Sequence, residues 1–116
     1  MKRGEIWWAD LGAHRPREQT GRRPVVVWQS DALTSVLQSV LVVPLTTNME
    51  RARLAGTALI AATDIGPASD SVALAFQMRA IPKAALDTFV RALTEAELTE
   101  LELATDEALG RLDPEP

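Results

Sequence analysis

The chain has no cysteine and a single histidine, His14, among its 116 residues. The first absence removes disulfide staples, thiolate metal sites and cysteine nucleophiles together. The second leaves too few parts in one subunit for a Ser-His-Asp triad or a two-histidine ribonuclease mechanism. Aromatic side chains are scarce, at 4%, and no apolar run approaches the ~18 to 20 residues that cross a bilayer. Met1, Lys2 and Arg3 lead into Gly4-Glu5, where a secretory signal would begin an apolar segment of about 7 to 15 residues. These absences predict a cytoplasmic globular protein without membrane contact. The length predicts one domain over residues 1–116, with 112–116 as a frayed tail.

Charge is present but divided. The net charge is -4, yet residues 1–60 hold eight Lys and Arg against five Asp and Glu, and residues 61–116 hold four against eleven. An acidic total argues against a simple nucleic-acid binder. The basic excess, which includes Arg15, Arg17, Arg22, Arg23, Arg51 and Arg53, reads either as a solvated surface or as a local polyanion site.

Short Val-, Ile- and Trp-rich runs, bounded by Gly, Pro, Ser and Asn, predict strands at Glu5–Asp10, Pro24–Gln29 and Ser39–Leu45. Gly56–Ala61, Ser71–Phe76, Gln77–Ile81 and Asp87–Leu93 extend the series. Three consecutive valines, Val25 to Val27, suit a strand buried on both faces. The period then changes. Thr94 with Glu97 is a capping-box pattern, and Leu98, Leu101, Ala104, Ala108 and Leu112 recur at three- and four-residue steps. This predicts an amphipathic helix with a solvated acidic face, its carboxylates Glu95, Glu97, Glu100, Glu102 and Asp106 concentrated where the helix dipole favours them.

Gly12–Arg22 is too polar and too rich in Gly and Pro for regular structure, and a loop of that length in a compact domain is often functional. At its end, Pro24 biases Arg23 toward an extended backbone and fixes it at a strand entrance. A guanidinium there, with Arg22 beside it, can offer a fork to phosphate or make an ordinary surface ion pair. Pro44–Asn48, PLTTN, ends another strand with hydroxyl and amide donors that suit either phosphoryl oxygens or a turn. Trp7, Trp8 and Trp28 could stack bases or fill the core, with at most one of Trp7 and Trp8 facing it.

Taken in order, RGEIWWADLG, REQTGRRPVVVWQSD, VLVVPLTTN and DSVALAFQMRAI resemble the MazF/PemK family of toxin ribonucleases from bacterial toxin-antitoxin systems. Glu18, Gln19, Gly21, Arg23 and Pro24 fall on the family's loop pattern. The resemblance implies a mainly β fold with a C-terminal α-helix, an SH3-like or CcdB-like barrel of five to seven short strands. It implies a homodimer with RNA along the subunit interface, single-stranded RNA as substrate, a cognate antitoxin as partner, and no metal or other cofactor. Carried over, Arg23, Thr46 and Glu18 are the catalytic residues. Gln19, Arg22, Thr47, Asn48, Gln77, Arg79, Arg15 and Arg17 are the candidate RNA contacts. His14-Arg15-Pro16-Arg17 departs from the small Gly-Ser segment usual before the glutamate, which bears on loop shape and cleavage sequence. The alternatives are a CcdB-like toxin that binds a protein target such as DNA gyrase, and a family member that binds RNA or antitoxin without cutting.

Overall fold

The computed structural model describes residues 1–12 and 20–112. Its strands are β1 (Glu5–Asp10), β2 (Arg22–Val27), β3 (Ser39–Thr46), β4 (Thr57–Ile60), β5 (Ser71–Leu74), β6 (Arg79–Pro82) and β7 (Leu86–Ala92). Their order across the sheet is β4-β5-β3-β2-β1-β7, every pairing is antiparallel, and β6 joins β3 off this path. The long strand β3 divides its length between partners. Ser39 to Val42 pair with β6, while Leu45 and Thr46 pair with β5. The mainly β fold with a C-terminal helix expected from the sequence is the fold observed.

The valine run explains how the sheet is buried. Successive side chains alternate across a strand, and they enter two different cores. Val26 and Trp28 join Ile6, Val43, Leu45 and Leu101 on one face. Val25 and Val27 join Ala9, Val40, Val42 and Ile81 on the other. Val25, Val26 and Val27 are all fully buried, so the second half of β2 is central and has no solvated side, while its Arg22 end opens to solvent.

Helix α2 (Glu95–Ala108) covers the first face with Leu101 and Ala104. Thr94 and Glu97 complete the capping box that the sequence predicts. The acidic face is not wholly solvated, however, because Glu97 is buried beside Arg91 of β7. Arg91 donates to both carboxylate oxygens, at 2.8 and 3.1 Å, and also to the carbonyls of Gly66, Ala61 and Ala92. Burial pushes the Glu97 carboxyl up, but Arg91 and the backbone N–H groups of Thr94 and Ala61 together hold it down at about 2. The helix stops at Ala108, so Leu112 lies beyond it and is exposed.

Other boundaries moved for local reasons. The run from Ser71 leaves the sheet after Leu74, and Ala75–Gln77 form a 3-10 turn before β6 begins at Arg79. A four-residue helix, α1 (Asp31–Thr34), was not predicted. It is fixed by distant partners, since Asp31 accepts from the Arg3 amide at 2.7 Å and Thr34 accepts from Gln29 at 3.2 Å. Among the described residues, no helix is long and apolar enough to cross a membrane.

Candidate functional site

The loop predicted to be functional leaves the sheet through a narrow neck. Leu11 N–H donates to the Gly21 carbonyl at 2.9 Å, and Gly21 N–H donates to the Gly12 carbonyl at 2.6 Å. Gly12 and Gly21 both have positive φ, +79° and +76°, which a side chain would strain. Arg79 of β6 donates to the Leu11 carbonyl at 2.5 Å and so ties a third strand to the neck. His14, Arg15, Arg17, Glu18 and Gln19 lie outside the described residues.

Arg23 stands at the exit of that neck, half-buried, opposite Ala9. Its Nε donates to the Thr20 carbonyl at 2.7 Å, which sets the direction of the guanidinium. The β2–β3 ladder ends where Val25 meets Pro44, so Arg23 and Thr46 each lie two residues past its last pair, at the same end of two neighbouring strands. Strand pairing alone thus brings Arg23 and Thr46 to the same end of adjacent strands, although 23 positions separate them.

Thr46 is buried, and its Oγ1 accepts from the Asn48 amide at 3.1 Å. Asn48 in turn caps the 3-10 turn Met49–Arg53 by accepting from Glu50 N–H at 3.2 Å. The turn chemistry and the polar cluster are therefore one arrangement. A groove of about 390 Å³ runs past this corner, lined by Thr20, Arg23, Thr47 and Ser71 among others. Thr47, rather than the buried Thr46, presents itself there.

Ser71 was not singled out by its sequence. It is almost fully buried, adjoins Val72, which pairs with Thr46, and lines the same groove as Thr47. The signal was the Asp70-Ser71 pair at a strand start, but only the β3–β5 pairing brings that strand to the arginine. Gln77 ends the 3-10 turn before β6, and Arg79 opposes Val42 on β3. Both are half-buried, on the far side of β3 from β2.

Arg22 takes another course. Its Nε and Nη2 donate to the two Asp87 oxygens at 3.1 and 2.6 Å, and its guanidinium carbon sits 4.6 Å from the centre of the Trp8 ring. Hydrogen bonds from Arg22, then Thr88, hold the Asp87 carboxyl below the usual carboxylate range. Trp7 packs against the second core and makes a T-shaped pair with Phe89, and Trp28 is buried under Arg3 with its Nε1 donating to Thr105 at 2.9 Å.

An antiparallel sheet with a C-terminal helix, and an arginine and threonines gathered at a looped hairpin neck, define a β-barrel toxin of the kind the sequence resembles. Residues 2–109 match the family described as PemK-like, MazF-like toxin of type II toxin-antitoxin system, and the chain belongs to it. It is 34% identical over 114 residues to Endoribonuclease MazF9 of Mycobacterium tuberculosis, covering 94% of this chain and 92% of the relative. It is 31% identical over 113 residues to Endoribonuclease EndoA of Bacillus subtilis, covering 97% of each. Among solved structures, an endoribonuclease in complex with its cognate antitoxin from Mycobacterial species has the same fold. There the TM-score is 0.75 at 24% identity, over 100% of this chain and 99% of that one.

Proposed function

We propose that this chain is the toxin of a toxin-antitoxin pair, acting as a metal-independent, sequence-selective endoribonuclease on single-stranded RNA. The observation that carries the reading is Arg23, held by its Thr20 hydrogen bond at the mouth of β2, at the end of the β2–β3 ladder where Thr46 closes β3. RNA supplies its own nucleophile, so the protein has to align it, move protons and stabilise charge. The 2′-oxygen bonds to phosphorus as the bond to the 5′-oxygen breaks, leaving a 2′,3′-cyclic phosphate and a 5′-hydroxyl end. One proton leaves the 2′-hydroxyl and one reaches the departing 5′-oxygen.

In this reading Arg23 and Thr46 stabilise the phosphoryl oxygens. Arginine is a poor base, with a pKa above ~12, so Glu18 is assigned the proton. Thr47 and Asn48 contact RNA beside the cut, as do Gln19, Arg15 and Arg17 from the loop, with Gln77 and Arg79 contributing from the β6 side. The protein works in the cytoplasm as one domain.

The partners follow the same reasoning. Leu33, Val36 and Leu37 are exposed beside β6, which is tied to that segment by Lys83 bonding to Thr34 and Gln38. An apolar patch next to an edge strand supports a homodimer. A cognate antitoxin is proposed because the mycobacterial structural relative is described in complex with one.

The test is incubation with a long single-stranded RNA in EDTA, beside Arg23→Ala, with the fragment ends mapped. Discrete cuts with cyclic-phosphate ends, lost in the variant, support the reading. Intact RNA across several diverse sequences would sink it and turn attention to a protein target.

A further inference from the structure

Arg22 is the residue that the phosphate reading fits least well. The fork that a phosphate would take is closed by Asp87, which receives both the Nε and an Nη2 proton, and Thr88 accepts from Nη2 at 3.4 Å. A phosphate would have to displace a carboxylate whose charge already matches the guanidinium. A flat, charge-compensated cation is a different tool. One side of it lies on the Trp8 indole, and the side chain remains 52% exposed.

The surroundings suit a nucleobase. The groove that contains Arg23 continues into a second of about 370 Å³, and the two share Trp8, Pro24, Pro67 and Ala68. The second ends at Phe89 and Ile65, both well exposed. Arg22 and Arg23 are adjacent, and both line the first groove at the start of β2. An aromatic ring, a guanidinium plane and prolines make a surface on which a base can stack, as unpaired bases commonly do.

Building on the endoribonuclease reading, we infer that Arg22 is a base-stacking platform, clamped flat between Trp8 and solvent by Asp87, which takes one base flanking the phosphate that Arg23 faces and sets the sequence preference there. Trp8 backs the platform. Asp87 is a positioning residue, acting through Arg22 and touching no RNA.

The experiment has two arms, with melting curves taken for every variant. In the first, wild type, Arg22→Lys and Asp87→Asn cut a randomised single-stranded RNA pool, and preference is scored at each position around the cut. Arg22→Lys keeps the charge and loses the plane, so preference collapses at one flanking position, with KM for the preferred sequence raised about tenfold and kcat nearly unchanged. Asp87→Asn shows the same change more weakly. In the second, 2′-O-methyl oligonucleotides made abasic at each position in turn are bound at equilibrium. Wild type loses about tenfold at one position, and Arg22→Lys loses nothing further there.

If Arg22→Lys behaves as wild type while Arg22→Ala weakens all sequences alike and lowers the salt slope by about one unit, Arg22 is a phosphate contact and the platform is overturned. Failure of wild type to cut, with the abasic profile intact, would instead remove the endoribonuclease reading and leave the platform standing. A flat abasic profile overturns the platform whether or not the protein cuts.

Discussion

Arg91 lies edge-on to Glu97 with both oxygens engaged, and the pair joins β7, the start of α2 and the segment after β4 into one buried knot. Every guanidinium donor is used, and Glu97 also accepts from the Thr94 and Ala61 amides. Removing one partner leaves the other charged and buried. Glu97→Ala should therefore lower the unfolding free energy by about 3 to 5 kcal/mol in urea titrations. A cost under about 1 kcal/mol would show that the pair is far better hydrated than its burial implies.

The same carboxylate makes a pH prediction. Its folded pKa, about 2, lies below its ordinary value of 4.5, so folding favours the ionised form. The stabilisation is fully present above about pH 4.5 and is lost as pH falls through 2, amounting to on the order of 3 kcal/mol. Between these limits wild type should lose stability more steeply than Glu97→Gln. Parallel curves in acid titrations followed by circular dichroism would count against the assignment.

Among the described residues Arg23 touches the fold lightly, through a single side-chain bond to Thr20. Arg23→Ala should abolish RNA cleavage while shifting stability by no more than about 1 kcal/mol. Arg23→Lys retains the charge without the planar fork and should stay severely impaired. Full activity in the lysine variant would reduce the role to that of a point charge.

Thr46 and Thr47 should separate cleanly. Thr46→Val removes the buried acceptor of the Asn48 amide and should cost about 1 kcal/mol as well as activity. Thr47 is exposed in the groove, so Thr47→Val should leave the melting curve within about 0.5 kcal/mol of wild type and reduce cleavage alone. Paired melting and cleavage assays decide it, and a stable, fully active Thr46→Val would remove that residue from the site.

Trp28 connects β2 to α2 through its bond to Thr105, with Arg3 stacked 3.9 Å above the ring. Trp28→Phe keeps an aromatic ring but loses the donor, and should destabilise by about 1 to 2 kcal/mol by denaturant titration. An unchanged midpoint would mean that the hydroxyl is satisfied otherwise.

Much of this fold is legible in local chemistry. The Pro24-Val25-Val26-Val27 run states a doubly buried strand, and Thr94 with Glu97 states a helix start. Glu97 was nevertheless read as part of a solvated face, because its partner Arg91 belongs to another element and no spacing rule links them. The short helix at Asp31–Thr34 was invisible for the same reason: Arg3 and Gln29 hold it. At the site, Pro24 marked Arg23 as fixed, but Asp87 stands 65 positions from Arg22. Only pairing of β1 with both β2 and β7 brings Arg22 and Asp87 together. Ser71 escaped attention similarly, since it reaches the groove through the β3–β5 ladder.

The place of β1 has a consequence for the order of assembly. It is made before the other described strands, yet one edge pairs with β7, and the Gly4 carbonyl waits for the Leu93 amide, at 2.8 Å in the finished fold. On the ribosome, where chains emerge from the N-terminus, β1 can zip to β2 early and then keeps an open edge until residue 92 is out. Trp8 and Arg22 are exposed by then, but Asp87 arrives only with that last strand. The groove is therefore completed late, by long-range closure, the slow kind of folding step.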